Sequence, residues 1–221
     1  MFGFSRVFIL FTLVVALIFA LFPDIDLRIS ELFFDPKSGF YLKDIQPFAF
    51  LHDEIRWILL VPIAFLLLLT LYQLFFKKRF HTLNPKAIVF IVTFLIVGPG
   101  IVSNTIIKDH STRVRPRNIE YFGANQGKIF TPYYSHEGKC KKNCSFISGH
   151  TAAATFFLVF AYLYKSRLLF FLSLGFVILM GITRVVQGAH FLSDVIFSFI
   201  INLIILKILY FLFFKEEAKL E

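Results

Sequence analysis

Apolar runs recur six times along the chain, over roughly 7–22, 57–76, 87–107, 146–164, 168–186 and 191–214. As helices, such runs reach across about 30 Å of hydrocarbon. With 57% hydrophobic residues, 32 of them Phe among 221, and a mean hydropathy of +0.75, the composition excludes a soluble globular domain. Little sequence separates the runs. The expected architecture is therefore all-α, one integral membrane bundle of six transmembrane helices that takes in residues 1–221 as a single domain. Arg6 precedes the first run as in a signal peptide, but LFPDID follows instead of a small-x-small cleavage pattern, so a retained signal anchor is expected.

The connections carry the charge. KKRFHTLNPK at 77–86 has four cations and no acid, and Lys165-Ser166-Arg167 is a second basic connection. By the positive-inside bias both read as cytoplasmic, which places both termini inside and segments 23–56, 108–145 and 187–190 outside. Segment 23–56 fits, with four Lys/Arg against seven Asp/Glu. Segment 108–145 does not, with eight Lys/Arg against three acids. Its positive charge needs another cause, and an anionic substrate supplies one. The net charge of +9 likewise suits a protein that works on anionic lipid; no nucleic-acid partner is expected.

Smaller features read as architecture. Pro23-Asp24-Ile25-Asp26 is a plausible helix stop, and LRISELFF after it suits an interfacial amphipathic helix. Gly98-Pro99-Gly100 should kink the third span, because proline removes a backbone donor. Cys140 and Cys144, four apart in one polar loop, are either free thiols or, in an oxidising compartment, a local disulfide. A zinc site would need more ligands than His136 adds, and no metal is expected.

Three polar clusters fall at helix ends on the predicted outer side. Lys108 and Arg115-Pro116 follow the third span, Ser148-Gly149-His150 open the fourth, and Arg184, His190 and Asp194 join the fifth to the sixth. Guanidinium forks match phosphate oxygens. A hydroxyl and free N–H groups at a helix start can point at an anion. His190 and Asp194, four apart, would share one helical face, so that the carboxylate reaches an imidazole nitrogen and supports its attack. His150 is then free to protonate a leaving oxygen. A nucleophile, an orienter, an acid and an anion clamp are the parts of covalent phosphoryl transfer without metal or cofactor.

KDHSTRVRP, ISGH and TRVVQGAHFLSD together resemble the three-part signature of the type 2 phosphatidic acid phosphatase superfamily, K-x6-R-P, P-S-G-H and S-R-x5-H-x3-D. The resemblance covers residues 108–194. It implies a phosphohistidine on His190, with Asp194 as its partner and His150 as general acid, and a phosphate held by Lys108, Arg115, Ser148, Gly149 and Arg184. Ile147 and Thr183 depart from the signature at a proline and a serine; no catalytic position is missing. Arg113 and Arg117 remain open between clamp and headgroup contact.

Loop 117–145 looks like that of bacterial lipid A 4′-phosphatases, and its Lys128, Lys139, Lys141 and Lys142 would meet a second phosphate or a sugar, or form a solvated face. The resemblance implies a phosphorylated membrane lipid as substrate, at the periplasmic face of a bacterial inner membrane. Alternatives are an undecaprenyl pyrophosphate or phosphatidylglycerophosphate phosphatase, or a lipid-binding or transport protein without turnover. Transport would call for polar residues through the spans, which offer chiefly Asn104, Asn202 and Gln73.

Overall fold

The computed structural model of the protein describes residues 6–76, 84–124 and 127–215. The basic stretch 77–83 and both termini, on which the predicted sidedness leans, lie outside the described residues. Helices occupy all six apolar runs, but not as six equal spans. Three are long and apolar enough to cross a membrane alone: Pro85–Lys108, Arg167–Val186 and Leu192–Phe214. Two bent pairs raise the number to five at most among the described residues, and the fourth run yields only the shorter apolar helix Gly149–Leu163.

Helix α1 (Arg6–Leu21) stops before Pro23, and the chain turns 84° into α2 (Asp24–Glu31). The expected stop at Pro23–Asp26 is where α1 ends, and Asp24 and Asp26 go on to open α2, where they suit the positive end of the helix dipole. Nor does α2 simply lie on an interface: Asp26 and Ser30 are buried, and the helix packs on α8 (Leu192–Phe214).

A two-stranded hairpin, β1 (Phe34–Asp35) and β2 (Gly39–Phe40), follows. Helix α3 (Phe48–Phe76) bends by 41° between Ile55 and Trp57 and carries Pro62 farther along.

Asn84 caps α4 (Pro85–Leu95) by accepting the Ala87 N–H at 3.0 Å, with Pro85 in the first turn. The same helix continues as a π-helix over Ile96–Lys108. The predicted interruption at Gly98-Pro99-Gly100 takes this form: a wider register absorbs the proline within one apolar stretch of 24 residues. Asn104 Nδ2 donates to the Pro99 carbonyl at 2.7 Å.

Helices α5 (Gly149–Ala154) and α6 (Leu158–Leu163) are joined by a 3-10 turn at Thr155–Phe157. They pack against α7 (Arg167–Val186). Gly181 lets α7 approach α8, since a Cβ there would come within 2.4 Å of a Val195 methyl. One end of the bundle is an apolar cluster around Phe90, Phe94, Phe156 and Leu206. Farther along, Asn202 of α8 donates to Ser103 Oγ of the π-helix at 2.9 Å. The polar span residue Asn202 therefore ties helices together. The signature residues gather toward the other end.

Candidate active site

The π-helix ends on Lys108, which is buried and lines a cavity of about 450 Å³ together with His52, Asp53, Asn104, Gly149 and His150. Gly149 keeps the cavity open, because a Cβ there would stand 2.6 Å from Asn104 Oδ1 and 3.4 Å from Lys108 Nζ and would make the Asn104 side chain shift. Ser148 caps α5: its Oγ accepts from the Thr151 hydroxyl at 2.9 Å and from the Thr151 N–H at 3.4 Å. The signature serine is thus engaged in holding the helix start that presents Gly149 and His150 to the cavity.

His190 lies in the turn between α7 and α8, after Gly188. That glycine has φ +59°, and a Cβ on it would meet the Phe40 ring at 2.4 Å. The hairpin therefore presses directly on the turn that carries His190. Nδ1 of His190 is 2.7 Å from the Ser145 carbonyl oxygen. A carbonyl only accepts, so Nδ1 carries the proton and Nε2 keeps its lone pair. Nε2 is buried and has no hydrogen-bond partner among the described residues. Burial pushes the imidazole down to about 3, against the pull of the Asp194 carboxylate, so the ring is neutral at physiological pH.

Asp194 is not in hydrogen-bond contact with that ring; its Oδ2 stands 3.7 Å from Nδ1. The expected shared helical face does not exist, because α8 starts at Leu192 and His190 precedes it. Oδ2 instead accepts the Phe191 N–H at 2.8 Å, capping α8, and the Ser145 hydroxyl at 2.5 Å. Ser145 thereby touches both residues: its hydroxyl holds Asp194 and its carbonyl holds His190.

Arg113 completes this support. It is 1% exposed, and it donates to Asp194 Oδ1 at 2.5 Å, Asp26 Oδ2 at 2.7 Å, Ser193 Oγ at 2.8 Å and the Thr131 carbonyl at 2.9 Å. Its guanidinium lies 4.3 Å from the Phe191 ring centroid. Asp26 also accepts the Ser193 N–H at 2.8 Å. Arg113 is therefore neither clamp nor headgroup contact; it is the buried counter-ion of two carboxylates. Arg113 is buried, whereas Arg115, two residues on, is half-buried; the R-V-R spacing alone does not tell them apart.

Arg115 donates to the Asn143 carbonyl at 3.1 Å and to Asn143 Oδ1 at 2.6 Å. Burial and neighbouring Arg117 lower its proton affinity. Arg184 is buried, with one guanidinium nitrogen 2.5 Å from Gln187 Oε1 and Nε without a partner among the described residues. Arg184 and His190 do not line the cavity, but both act electrostatically on His150.

His52 had no signal in the sequence. From α3 it stacks on His150, ring centroids 5.3 Å apart at 15°, and its Nδ1 is 2.9 Å from Asp53 Oδ1. Cys140 and Cys144 are joined as a disulfide.

Residues 87–218, from α4 to beyond α8, match the PAP2 superfamily. The chain belongs to the PAP2 superfamily. Similar proteins include a lipid A 4′-phosphatase of Francisella tularensis subsp. novicida, 32% identical over 90% of both chains. A lipid A 4′-phosphatase of Rhizobium leguminosarum is 26% identical over 85% of this chain and 87% of its own. A lipid A 1-phosphatase of Rhizobium johnstonii is 35% identical, but over 47% of this chain and 38% of its own. No solved structure matches. As a PAP2 protein with phosphatase relatives, the chain is a phosphoric monoester hydrolase. Asp26 and His52 lie outside the matched PAP2 region.

Proposed function

We propose that this PAP2 protein is a metal-independent lipid A 4′-phosphatase that works through a phosphohistidine on His190 at the periplasmic face of a bacterial inner membrane. The observation that carries the mechanism is the His190 tautomer: Nδ1–H is committed to the Ser145 carbonyl, and Nε2 is left with a lone pair and no partner among the described residues. The substrate rests on the likeness to lipid A 4′-phosphatases along nearly the whole chain.

Nε2 attacks phosphorus; an N–P bond forms and the P–O bond to the lipid breaks. His150, as imidazolium, gives its proton to the departing oxygen. Lys108, Arg115 and Arg184, with the start of α5 at Ser148-Gly149, balance the charge on the phosphoryl oxygens. The negative charge of the substrate, set among these cations, is what lets His150 hold a proton. Neutral His150 next takes a proton from water, whose oxygen attacks phosphorus, the N–P bond breaks, and inorganic phosphate leaves. Asp194 and Ser145 hold the His190 ring as positive charge develops on it.

The Cys140–Cys144 disulfide favours an oxidising compartment for the loop that carries Arg115, which supports a periplasmic site. The six-span topology, with both termini cytoplasmic, is part of the same proposal.

The test is phosphate release by detergent-solubilised protein, in EDTA, from lipid A, undecaprenyl pyrophosphate, phosphatidylglycerophosphate and phosphatidic acid. Release from lipid A, cleavage at the 4′ position by mass analysis, and an acid-labile phosphoenzyme absent from His190→Ala are expected. Cleavage at position 1 or preference for another lipid would overturn the substrate. Full turnover by His190→Ala would overturn the mechanism.

A further inference from the structure

The positive charge of loop 108–145 is not used up by the catalytic cavity. A second concavity, about 380 Å³, opens beside Arg115 and is lined by Arg115, Lys128, Lys139, Lys141, Lys142 and Asn143, among others. Among the described residues no carboxylate lines it. Like charges gathered in one hollow repel, and an anion placed among them relieves that repulsion.

This hollow is built rather than incidental to a loose loop. The disulfide closes residues 140–144 into a small ring, and Asn143, at φ +53°, turns both its carbonyl and its side chain onto the Arg115 guanidinium. The Cys140 N–H donates to the Thr112 carbonyl at 3.0 Å. Gly138 lies so close to that carbonyl that a Cβ would stand 2.0 Å from it. Lys139 Nζ reaches across to the Gly127 carbonyl at 2.9 Å. Lys141 and Lys142 remain exposed at the rim.

Arg115 belongs to both places: it lines the hollow, and it is one of the cations that the proposed mechanism sets around the cleaved phosphate. Loop 108–145 thus supplies cations to the proposed clamp and to the hollow alike, so that one substrate molecule can meet both. We infer that the hollow binds a second phosphoryl group of the same substrate lipid, the one that is not cleaved. The inference rests on the proposed lipid A reading, in which phosphates stand at positions 1 and 4′. A free phosphate or a neighbouring anionic headgroup would offer the same chemistry.

The experiment compares wild type with Lys141→Gln/Lys142→Gln on lipid A bearing both phosphates and on lipid A bearing the 4′ phosphate alone. Expected is a KM about tenfold higher for the doubly phosphorylated lipid, with kcat retained and no change for the singly phosphorylated one. An equal effect on both lipids, or none on either, overturns the inference.

Binding of the same two lipids to His190→Ala protein separates the inference from the function. A preference of about tenfold for the doubly phosphorylated lipid, lost on adding Lys141→Gln/Lys142→Gln, supports the hollow even if wild type releases no phosphate. Absence of that preference overturns it whatever the turnover. Inorganic phosphate and phosphatidylglycerol micelles are the competing probes. If either abolishes the preference at concentrations comparable to the lipid, the hollow is a free-anion or headgroup site, and its assignment to the second phosphate of the substrate fails.

Discussion

The imidazole of His190 is fixed by the Ser145 carbonyl at 2.7 Å, and the same residue's hydroxyl is bound to Asp194 at 2.5 Å. Ser145 thus links the proposed nucleophile to the carboxylate that anchors the N-terminus of α8. Asp194 acts on His190 through field and placement rather than through a direct hydrogen bond.

Arg113 and Arg115, two residues apart, should separate stability from activity. Arg113→Ala leaves Asp26 and Asp194 buried without their cation, and loss of one partner of such a network costs about 3–5 kcal/mol. A strongly lowered thermal midpoint in detergent is expected. Arg115→Ala should unfold like wild type while losing most phosphate release. Similar midpoints for the two variants would contradict the assignment.

Acid should destabilise the protein through His190. Its imidazole goes from the ordinary value of 6.5 in the unfolded chain to about 3 when folded. Between those values the unfolded chain binds the extra proton, so stability is present above pH 6.5 and is lost as pH falls toward 3, by up to about 1.4 kcal/mol per pH unit. Thermal unfolding measured across this window should show a shallower slope for His190→Gln than for wild type. Equal slopes would mean that the ring is not held neutral.

Gly149→Ala tests the cavity geometry. The added methyl would press on Asn104 Oδ1 and crowd Lys108 Nζ, while alanine in the first turn of α5 favours the helix. The expected outcome is a normal thermal midpoint with phosphate release down by about tenfold or more, the scale of a misplaced catalytic group. Wild-type turnover would show that the start of α5 is not where the phosphoryl group binds.

His52 stacks on His150, so ring shape and ring chemistry can be told apart. His52→Ala should lower kcat about tenfold, as a general acid loses its positioning. His52→Phe, which keeps a flat ring, should recover most of it. Equal losses in both variants would point to an imidazole proton as the feature that matters.

The sequence alone located the apolar runs and most helix ends, though not the start of α3 at Phe48, because each rests on short-range rules: hydrophobic length, capping chemistry and the backbone limits of proline and glycine. It also singled out Lys108, the Ser148–His150 start and the Arg184–Asp194 turn, of which Lys108, Gly149 and His150 line one cavity. What it misread were features decided by where a helix begins or by partners far along the chain. Asp194 hydrogen-bonds Phe191 and Ser145 and stands 3.7 Å from the His190 ring without a hydrogen bond to it, because α8 begins after the histidine. Arg113 finds Asp26 across 87 residues, and Ser193 finds Asp26 across 167. His52 meets His150 only when α3 packs beside α5. No local propensity encodes such pairs: burial makes an unpartnered charge costly, and only the folded bundle determines which partner is within reach.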